Sequence, residues 1–204
     1  MGCSASYRPL VVVGPSGVGK GTLIQKVFDR YVDKFSFSVS YTTRAPRPGE
    51  ENGVHYHFIE QEQFQKMEDE DGFIESCDVH TKKYGTAVCE LDRIKKEKRI
   101  PVLDIDVQGA SKVHSKGIAS LFIFVKPIDS DNLDEIRKVL SERLHGRGTE
   151  NEEQIQGRVD KAAGEIEAFQ KSSFFNYTLV NDDLEKAAQR FFEILEKEYK
   201  KELD

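Results

Sequence analysis

A glycine-rich stretch that ends in Lys20-Gly21-Thr22 lies between an apolar run, Leu10–Val13, and a segment whose apolar residues recur with helical spacing. This order predicts a strand, a loop and a helix. Glycines at a helix start leave backbone N–H groups free to bind an anion, and the helix dipole favours negative charge there. We therefore predict a nucleotide phosphate loop, with an ordinary strand-to-helix turn as the alternative. The loop comprises Gly14, Pro15, Ser16, Gly17, Val18, Gly19, Lys20, Gly21 and Thr22.

The loop departs from the pattern G-x-x-x-x-G-K-[ST] at one place. Gly14, Gly19 and Lys20 match the pattern, but Gly21 stands where serine or threonine belongs. A hydroxyl that could bind Mg²⁺ directly is therefore absent there, and Thr22 follows one residue late. Because Mg²⁺ gives up water reluctantly, we expect nucleotide phosphates and water to hold most of the ion.

Length and charge exclude several classes of protein. With 204 residues, of which 38% are hydrophobic, the chain can bury one good core, so we expect a single domain over residues 7–204. Thirty basic and 36 acidic residues give a net charge of −6, which argues against a general nucleic-acid binder. The cysteines, Cys3, Cys77 and Cys89, form no C-x-x-C pair, which favours a reducing compartment. We expect a cytoplasmic monomer.

The first residues, Met1-Gly2-Cys3-Ser4-Ala5-Ser6, fit the loose pattern for myristoylation of Gly2, with Cys3 available for a second acyl chain. The alternatives are a disordered leader and a cloning remnant. No apolar run approaches the roughly 20 residues of a membrane span. We therefore expect no membrane association unless Gly2 is acylated.

Residues of about 35–90 predict an inserted lobe of antiparallel β structure between two halves of a parallel core. Alternating apolar and polar residues predict one strand over residues 35–41. Asn52-Gly53 predicts a turn into a strand over residues 54–58, and thus an antiparallel hairpin. The loop between them carries Arg44 and Arg47, and further on Tyr84-Gly85-Thr86 predicts a turn.

A second apolar run, Ile100–Ile105, ends in aspartates, and the carboxyl end of a strand is where ligands bind in an open α/β sheet. Asp104 is a candidate Walker-B carboxylate that acts on Mg²⁺ through water, with a strand-end or helix-capping role as the alternative. Arg143, Arg147 and Arg158 lie near two glycines and predict a mobile lid at about residues 140–168. Solvated arginines on a helix pair are the alternative. The parallel core takes about residues 7–34, 95–135 and 170–204.

An ordered set of motifs, matching from about Pro9 to Tyr199, resembles the guanylate kinase family. Beside the loop, the set comprises Ser40-Tyr41-Thr42-Thr43-Arg44-x-x-Arg47, Phe73-Ile74-Glu75, Tyr84-Gly85-Thr86, Leu103-Asp104-Ile105-Asp106-Val107-Gln108-Gly109, Arg147-Gly148-Thr149-Glu150 and Val180-Asn181-Asp182-Asp183. The resemblance implies an α/β fold with a three-layer P-loop kinase core around a parallel central sheet, an inserted antiparallel GMP-binding lobe and a small helical lid. It also implies the reaction ATP + GMP ⇌ ADP + GDP with Mg²⁺.

The resemblance further implies roles for individual residues. The catalytic residues would be Lys20, Arg44, Arg143, Arg147 and Arg158. ATP would be bound by the loop and, near its base, by Asn181 and Asp182. GMP would be bound by Ser40, Arg44, Arg47, Tyr56, Glu75, Tyr84, Thr86 and Asp106. Among these, Glu75 can accept from N1–H and the 2-amino group of guanine and Thr86 can donate to O6, whereas adenine offers the reverse pattern.

A non-catalytic module of the same fold that binds phosphopeptides is the alternative function. Such modules lose the loop lysine and the ATP side, whereas Lys20, Asp104 and Arg147 are all in place here. The sequence therefore favours the enzyme.

Overall fold

The structure, a computed structural model, describes residues 7–79, 81–146 and 151–204. Its strands are β1 (Leu10–Val13), β2 (Phe35–Phe37), β3 (Tyr41–Thr42), β4 (His57–Phe58), β5 (Phe73–Val79), β6 (Lys82–Ala87), β7 (Ile100–Ile105), β8 (Leu121–Lys126) and β9 (Tyr177–Val180). Its helices are α1 (Lys20–Arg30), α2 (Gln61–Asp69), α3 (Val88–Lys96), α4 (Val107–Ser115), α5 (Leu133–His145), α6 (Glu152–Gln170), α7 (Leu184–Glu198) and α8 (Lys200–Leu203). The predicted acylation site at Gly2 and the predicted lid residue Arg147 lie outside the described residues.

A parallel sheet of five strands, in the order β2-β7-β1-β8-β9, forms the centre of the fold. Its middle strand, β1, consists of four apolar residues that are completely buried. Such continuous apolar strands are typical of a parallel sheet that is covered on both faces. The predicted α/β class with a parallel core is therefore confirmed.

The second sheet, in the order β4-β3-β6-β5, is mixed rather than wholly antiparallel. Strand β6 pairs antiparallel with β3 and β5, but β4 runs parallel to β3. The predicted hairpin is therefore wrong, and only His57–Phe58 of the predicted strand over residues 54–58 is extended in the sheet. The physical reason is the long loop over residues 43–56, which supplies the crossover that a parallel pair requires.

Two other local predictions differ from the structure. The predicted strand over residues 35–41 is divided, because β2 pairs with β7 in the core sheet and β3 begins the second sheet. The predicted turn at Tyr84-Gly85-Thr86 is part of strand β6. Gly85 serves close packing there, since a Cβ at this position would lie 2.8 Å from the ring of Phe73.

Helices α5 and α6 pack against each other through a small apolar cluster of Leu144, Ile155 and Val159. Asn151 and Gln154 form a capping box that begins α6, because each side chain accepts a hydrogen bond from the backbone of the other. Among the described residues, no helix combines the length and apolar character needed to cross a membrane.

Gly14 allows the loop to leave β1 in close contact with β8. Its φ of 153° is one that side chains rarely adopt, and a Cβ would lie 2.5 Å from the carbonyl oxygen of Val125. We expect Gly14→Ala to lower the free energy of unfolding by about 2 kcal/mol through overpacking.

Gly21→Ala is the matched control, because a Cβ at Gly21 meets no atom within 4 Å. Urea unfolding of the two variants checks the expectation. Equal midpoints for Gly14→Ala and Gly21→Ala would show that the contact with Val125 does not constrain the loop.

Candidate active site

The loop between β1 and α1 holds its shape through glycines and places a lysine at the mouth of a cleft. Gly17 and Gly19 have φ values of 86° and 93°, and Gly19 is the N-cap of α1. Glycine is the residue that adopts these angles without strain. The Nζ of Lys20 donates to the carbonyl oxygen of Gly14 at 2.5 Å and lies 3.6 Å from Oδ1 of Asp104. The predicted loop and the predicted strand-end aspartate are therefore brought together.

Asp104 lies near the carboxyl end of β7 and faces the cleft. Burial raises the pKa of Asp104 although 30% of its side chain stays exposed, while the neighbouring charge of Lys20 lowers it. The positive charge of Lys20 thus only partly offsets the effect of burial on the pKa of Asp104.

A cavity of about 280 Å³ lies between the core sheet and the second sheet. Most of its polar lining was predicted from the sequence, but Cys77 and Lys161 were not, because neither belongs to a recognised motif. The predicted residues that line it are Ser40, Tyr56, Glu75, Tyr84, Asp104 and Asp106. An adjoining cavity of about 330 Å³ shares Ser40, Tyr56 and Asp104 and adds Glu50.

Glu75 and Thr86 form a buried polar pair on neighbouring strands. The hydroxyl of Thr86 donates to Oε1 of Glu75 at 2.6 Å. Thr86 is 1% exposed and Glu75 is 6% exposed. Because a hydroxyl has one proton, Thr86 directs its proton at Glu75 in this structure, rather than at a ligand as the resemblance implies. Burial raises the pKa of Glu75, and the hydrogen bond from Thr86 opposes that shift.

Asp106 connects this pocket to helix α4. Its Oδ1 accepts from the backbone N–H of Gly109 at 2.9 Å and so caps α4, while its Oδ2 lies 3.9 Å from Nζ of Lys161 on α6. Gly109 lets α4 approach the pocket closely, since a Cβ there would lie 3.1 Å from Oε2 of Glu75. Helices α4 and α6 are therefore linked through Asp106, and α4 also packs close to the buried carboxylate of Glu75.

Arg44 and Glu50 form a bidentate ion pair beside this pocket. Nη1 and Nη2 of Arg44 donate to Oε2 and Oε1 of Glu50 at 2.8 and 2.9 Å. The guanidinium of Arg44 lowers the pKa of Glu50 to about 2. Arg47 is exposed and contributes its backbone N–H to Glu50. The sequence did not indicate Glu50, because its partners lie in a loop without periodicity.

Three of the remaining predicted residues, Arg143, Asn181 and Asp182, line a cavity beside the phosphate loop. Asn181 is buried and donates from Nδ2 to the carbonyl oxygen of Val18 at 2.7 Å. Arg143 donates to the carbonyl oxygen of Asn181 at 2.8 Å, and both line a cavity of about 280 Å³ with Asp182 and Thr22. Arg143 therefore lies with the residues predicted for the ATP base. Arg158 lies elsewhere, with Nη1 3.1 Å from Oγ of Ser16.

Comparison with known proteins identifies the relatives of this chain. A family model described as guanylate kinase matches residues 6–198. A guanylate kinase of Schizosaccharomyces pombe is 41% identical over 88% of this chain and 86% of the relative. A guanylate kinase of Sus scrofa is 38% identical over 96% of each chain.

Longer relatives and a solved structure agree with this result. Guanylate kinase 1 of Oryza sativa is 44% identical over 92% of this chain, but the chain spans only 47% of that protein's length. The crystal structure of guanylate kinase from Anaplasma phagocytophilum matches with a TM-score of 0.65 and 28% identity, and the match covers 95% of this chain and 87% of that one.

Proposed function

The chain belongs to the guanylate kinase family, and we propose that it transfers the γ-phosphoryl group of ATP to GMP, giving ADP and GDP. The observation that carries the proposal is a single cleft with Lys20 of a phosphate loop at one side and the buried carboxylate of Glu75 at the other. Relatives of matching length that are named guanylate kinase support the same activity. The alternative of a non-catalytic phosphopeptide module is not favoured, because the loop geometry and its lysine are intact.

The donor nucleotide binds along the loop. The N–H groups at the start of α1 and the ammonium of Lys20 face the phosphates, and the helix dipole adds to the attraction. The base lies in the outer cavity, where Arg143, Asn181 and Asp182 meet. This position changes the predicted role of Arg143, which we now assign to the donor base rather than to the transferred phosphoryl group.

The acceptor nucleotide binds in the cavity between the two sheets, lined by Glu75, Asp104 and Asp106, which we call the inner cavity. Glu75 accepts from N1–H and the 2-amino group of guanine, with the carboxylate oriented by Thr86, and Asp106 lies on the same side. Sites that recognise a base through such hydrogen bonds discriminate by about 10⁴-fold, because the wrong base leaves a buried polar group unpaired. The acceptor phosphate lies near Ser40, Arg44, Arg47, Tyr56 and Tyr84.

The reaction needs alignment and charge neutralisation, and it needs no covalent intermediate. Lys20 lies next to both cavities, because Asp104, its neighbour at 3.6 Å, lines the inner one and Gly19, the residue before it, lines the outer one. Arg158 beside Ser16 adds a second cation on the donor side, and Arg147 is a proposed third, outside the described residues. These cations stabilise the charge on the transferred group.

Mg²⁺ bound with ATP is the proposed cofactor, and the residues present fit an ion held mostly by phosphate and water. Asp104 offers one partly exposed carboxylate beside Lys20, Gly21 offers no hydroxyl, and Thr22 lines the other cavity. Within the described ranges, no group of three or more His, Cys, Asp or Glu side chains is placed to hold a metal. When bound, the ion would neutralise charge on the β- and γ-phosphates.

We also propose a cytoplasmic, monomeric protein that binds no nucleic acid. Cys77 and Cys89 are free thiols in the structure, which supports a reducing compartment. The net charge of −6 supports small anionic ligands held by local cations rather than a nucleic acid held by a broad positive face.

A coupled assay of ADP release tests the proposed function directly. With ATP as donor, we expect kcat/KM for GMP to exceed the values for AMP, CMP, UMP and dTMP by about 10³-fold or more, since Glu75 accepts two hydrogen bonds that the other bases do not offer in this arrangement. Equal consumption of AMP and GMP, or of neither, would reject the function.

Lys20→Ala tests the donor side. We expect turnover to fall by about 10³-fold, because the charge that faces the transferred phosphoryl group is lost. Lys26→Ala is a matched control, since Lys26 is a partly exposed lysine of the same helix and pairs with Glu185. Circular dichroism and unfolding should show that both variants are folded. Near-normal turnover in Lys20→Ala would contradict the proposed mechanism.

Glu75→Gln tests recognition of the base. The amide places a donor against the donors of guanine, so we expect kcat/KM for GMP to fall by about 10²-fold with the Kd for ATP unchanged. Similar losses for ATP and GMP would contradict the assigned role.

The pH dependence of GMP binding gives a second measure of the same residue. Because burial raises the pKa of Glu75, its carboxylate gains a proton earlier as the pH falls, and GMP affinity should decline on that acidic side. The phosphate of GMP titrates with both proteins, so the comparison of wild type with Glu75→Gln isolates the contribution of Glu75. If the GMP affinities of wild type and Glu75→Gln declined in the same way toward acidic pH, the assignment would be contradicted.

A further inference from the structure

Glu50 is built into the loop that carries Arg44 and Arg47. Its carboxylate accepts two hydrogen bonds from the guanidinium of Arg44 and a third, of 2.7 Å, from the backbone N–H of Arg47. Its own backbone N–H donates to the carbonyl oxygen of Arg47 at 3.0 Å. These reciprocal contacts fix Glu50 within the loop, so the carboxylate cannot swing away without losing its hydrogen bonds from Arg44 and from the backbone N–H of Arg47.

The guanidinium of Arg44 is held by hydrogen bonds and by two nearby aromatic rings. Glu50 takes the edge formed by Nη1 and Nη2, and Nη1 also donates to the carbonyl oxygen of Ala45 at 2.8 Å. Cζ of Arg44 lies 5.4 and 5.7 Å from the ring centroids of Tyr56 and Phe58. A guanidinium has five donors in one plane, of which Glu50 and Ala45 take three, so two remain for the nearby side chain of Tyr84 and for another acceptor.

The pair lies at the acceptor end of the cleft. Glu50 lines the same cavity as Ser40, Tyr56 and Asp104, and the side chains of Arg44 and Glu50 are only 16% and 18% exposed. Solvent therefore screens this pair less than it screens a surface ion pair.

We propose that Glu50 is a positioning residue for the acceptor nucleotide, which orders the guanidinium of Arg44 before the acceptor phosphate binds. Ordering a long arginine side chain on binding costs conformational entropy, and an arginine already held in place avoids that cost. The inference rests on the proposed function, because it assigns Arg44 to the phosphate of GMP. Its opposite is that Glu50 occupies the place of the phosphate and weakens binding.

Glu50→Gln distinguishes the positioning role of Glu50 from the opposite hypothesis, because glutamine keeps the shape of glutamate but loses its charge and one acceptor. We expect the KM for GMP to rise about 10-fold, since a charged bidentate pair is lost, while kcat and the KM for ATP change less than about 3-fold. Glu51→Gln is the matched control, since Glu51 is the exposed neighbour in the same loop. An unchanged or lower KM for GMP in Glu50→Gln would overturn the proposal.

Two further variants protect the test against a loss of folding. Glu50→Asp keeps the charge, and its KM for GMP should lie between those of wild type and Glu50→Gln. In the Arg44→Ala background, Glu50→Gln should add no more than about 2-fold to the KM for GMP, because its effect acts through Arg44. If Glu50→Gln raised the KM for GMP by another 10-fold or so in the Arg44→Ala background, the proposal would be overturned. Failure of wild type to phosphorylate GMP would reject the function instead.

Discussion

The site depends on the burial of β1 between β7 and β8. Val13 lies in register with Ile105 of β7 and Phe124 of β8, so the chain leaves the sheet next to the ends of both neighbours. Gly14 then passes against the backbone of Val125, and the loop must turn toward β7. The contact of Lys20 with Asp104 follows from this apolar register, which means that hydrophobic packing sets the position of the charges.

The opposite wall of the cleft depends on how the second sheet meets α4. Glu75 lies directly after an irregularity in the pairing of β5 with β6, opposite Thr86. Lys112 of α4 and Lys116, the C-cap of that helix, donate to the carbonyl oxygens of Ser76 and Phe73, respectively, on the open edge of β5. These bonds satisfy edge groups that would otherwise be unpaired, and they tie the lobe to the core beside the buried carboxylate.

Local sequence patterns predicted the phosphate loop, the helix that follows it and the core strands at Leu10–Val13 and Ile100–Ile105, because each of these depends on residues close together in the chain. The pairing of β4 with β3 could not be predicted in this way, since alternation shows a strand but not its partner. Gly85 resembled a turn residue, and only the nearby ring of Phe73 shows why a glycine is needed there. Glu50 was missed for a similar reason, because its importance lies in contacts and not in its spacing.

The cleft proposed to hold phosphates belongs to a chain with an excess of acidic residues. Its cations are paired with carboxylates: Lys20 with Asp104, Arg44 with Glu50, and Lys161 with Asp106 and Glu165. Burial raises the pKa of Glu165 to about 7, so this carboxyl can take up a proton near neutral pH when further negative charge enters. In the proposed function, the carboxylates hold the cations in place, and the directions of the remaining donors, rather than the net charge of the protein, would select the anion.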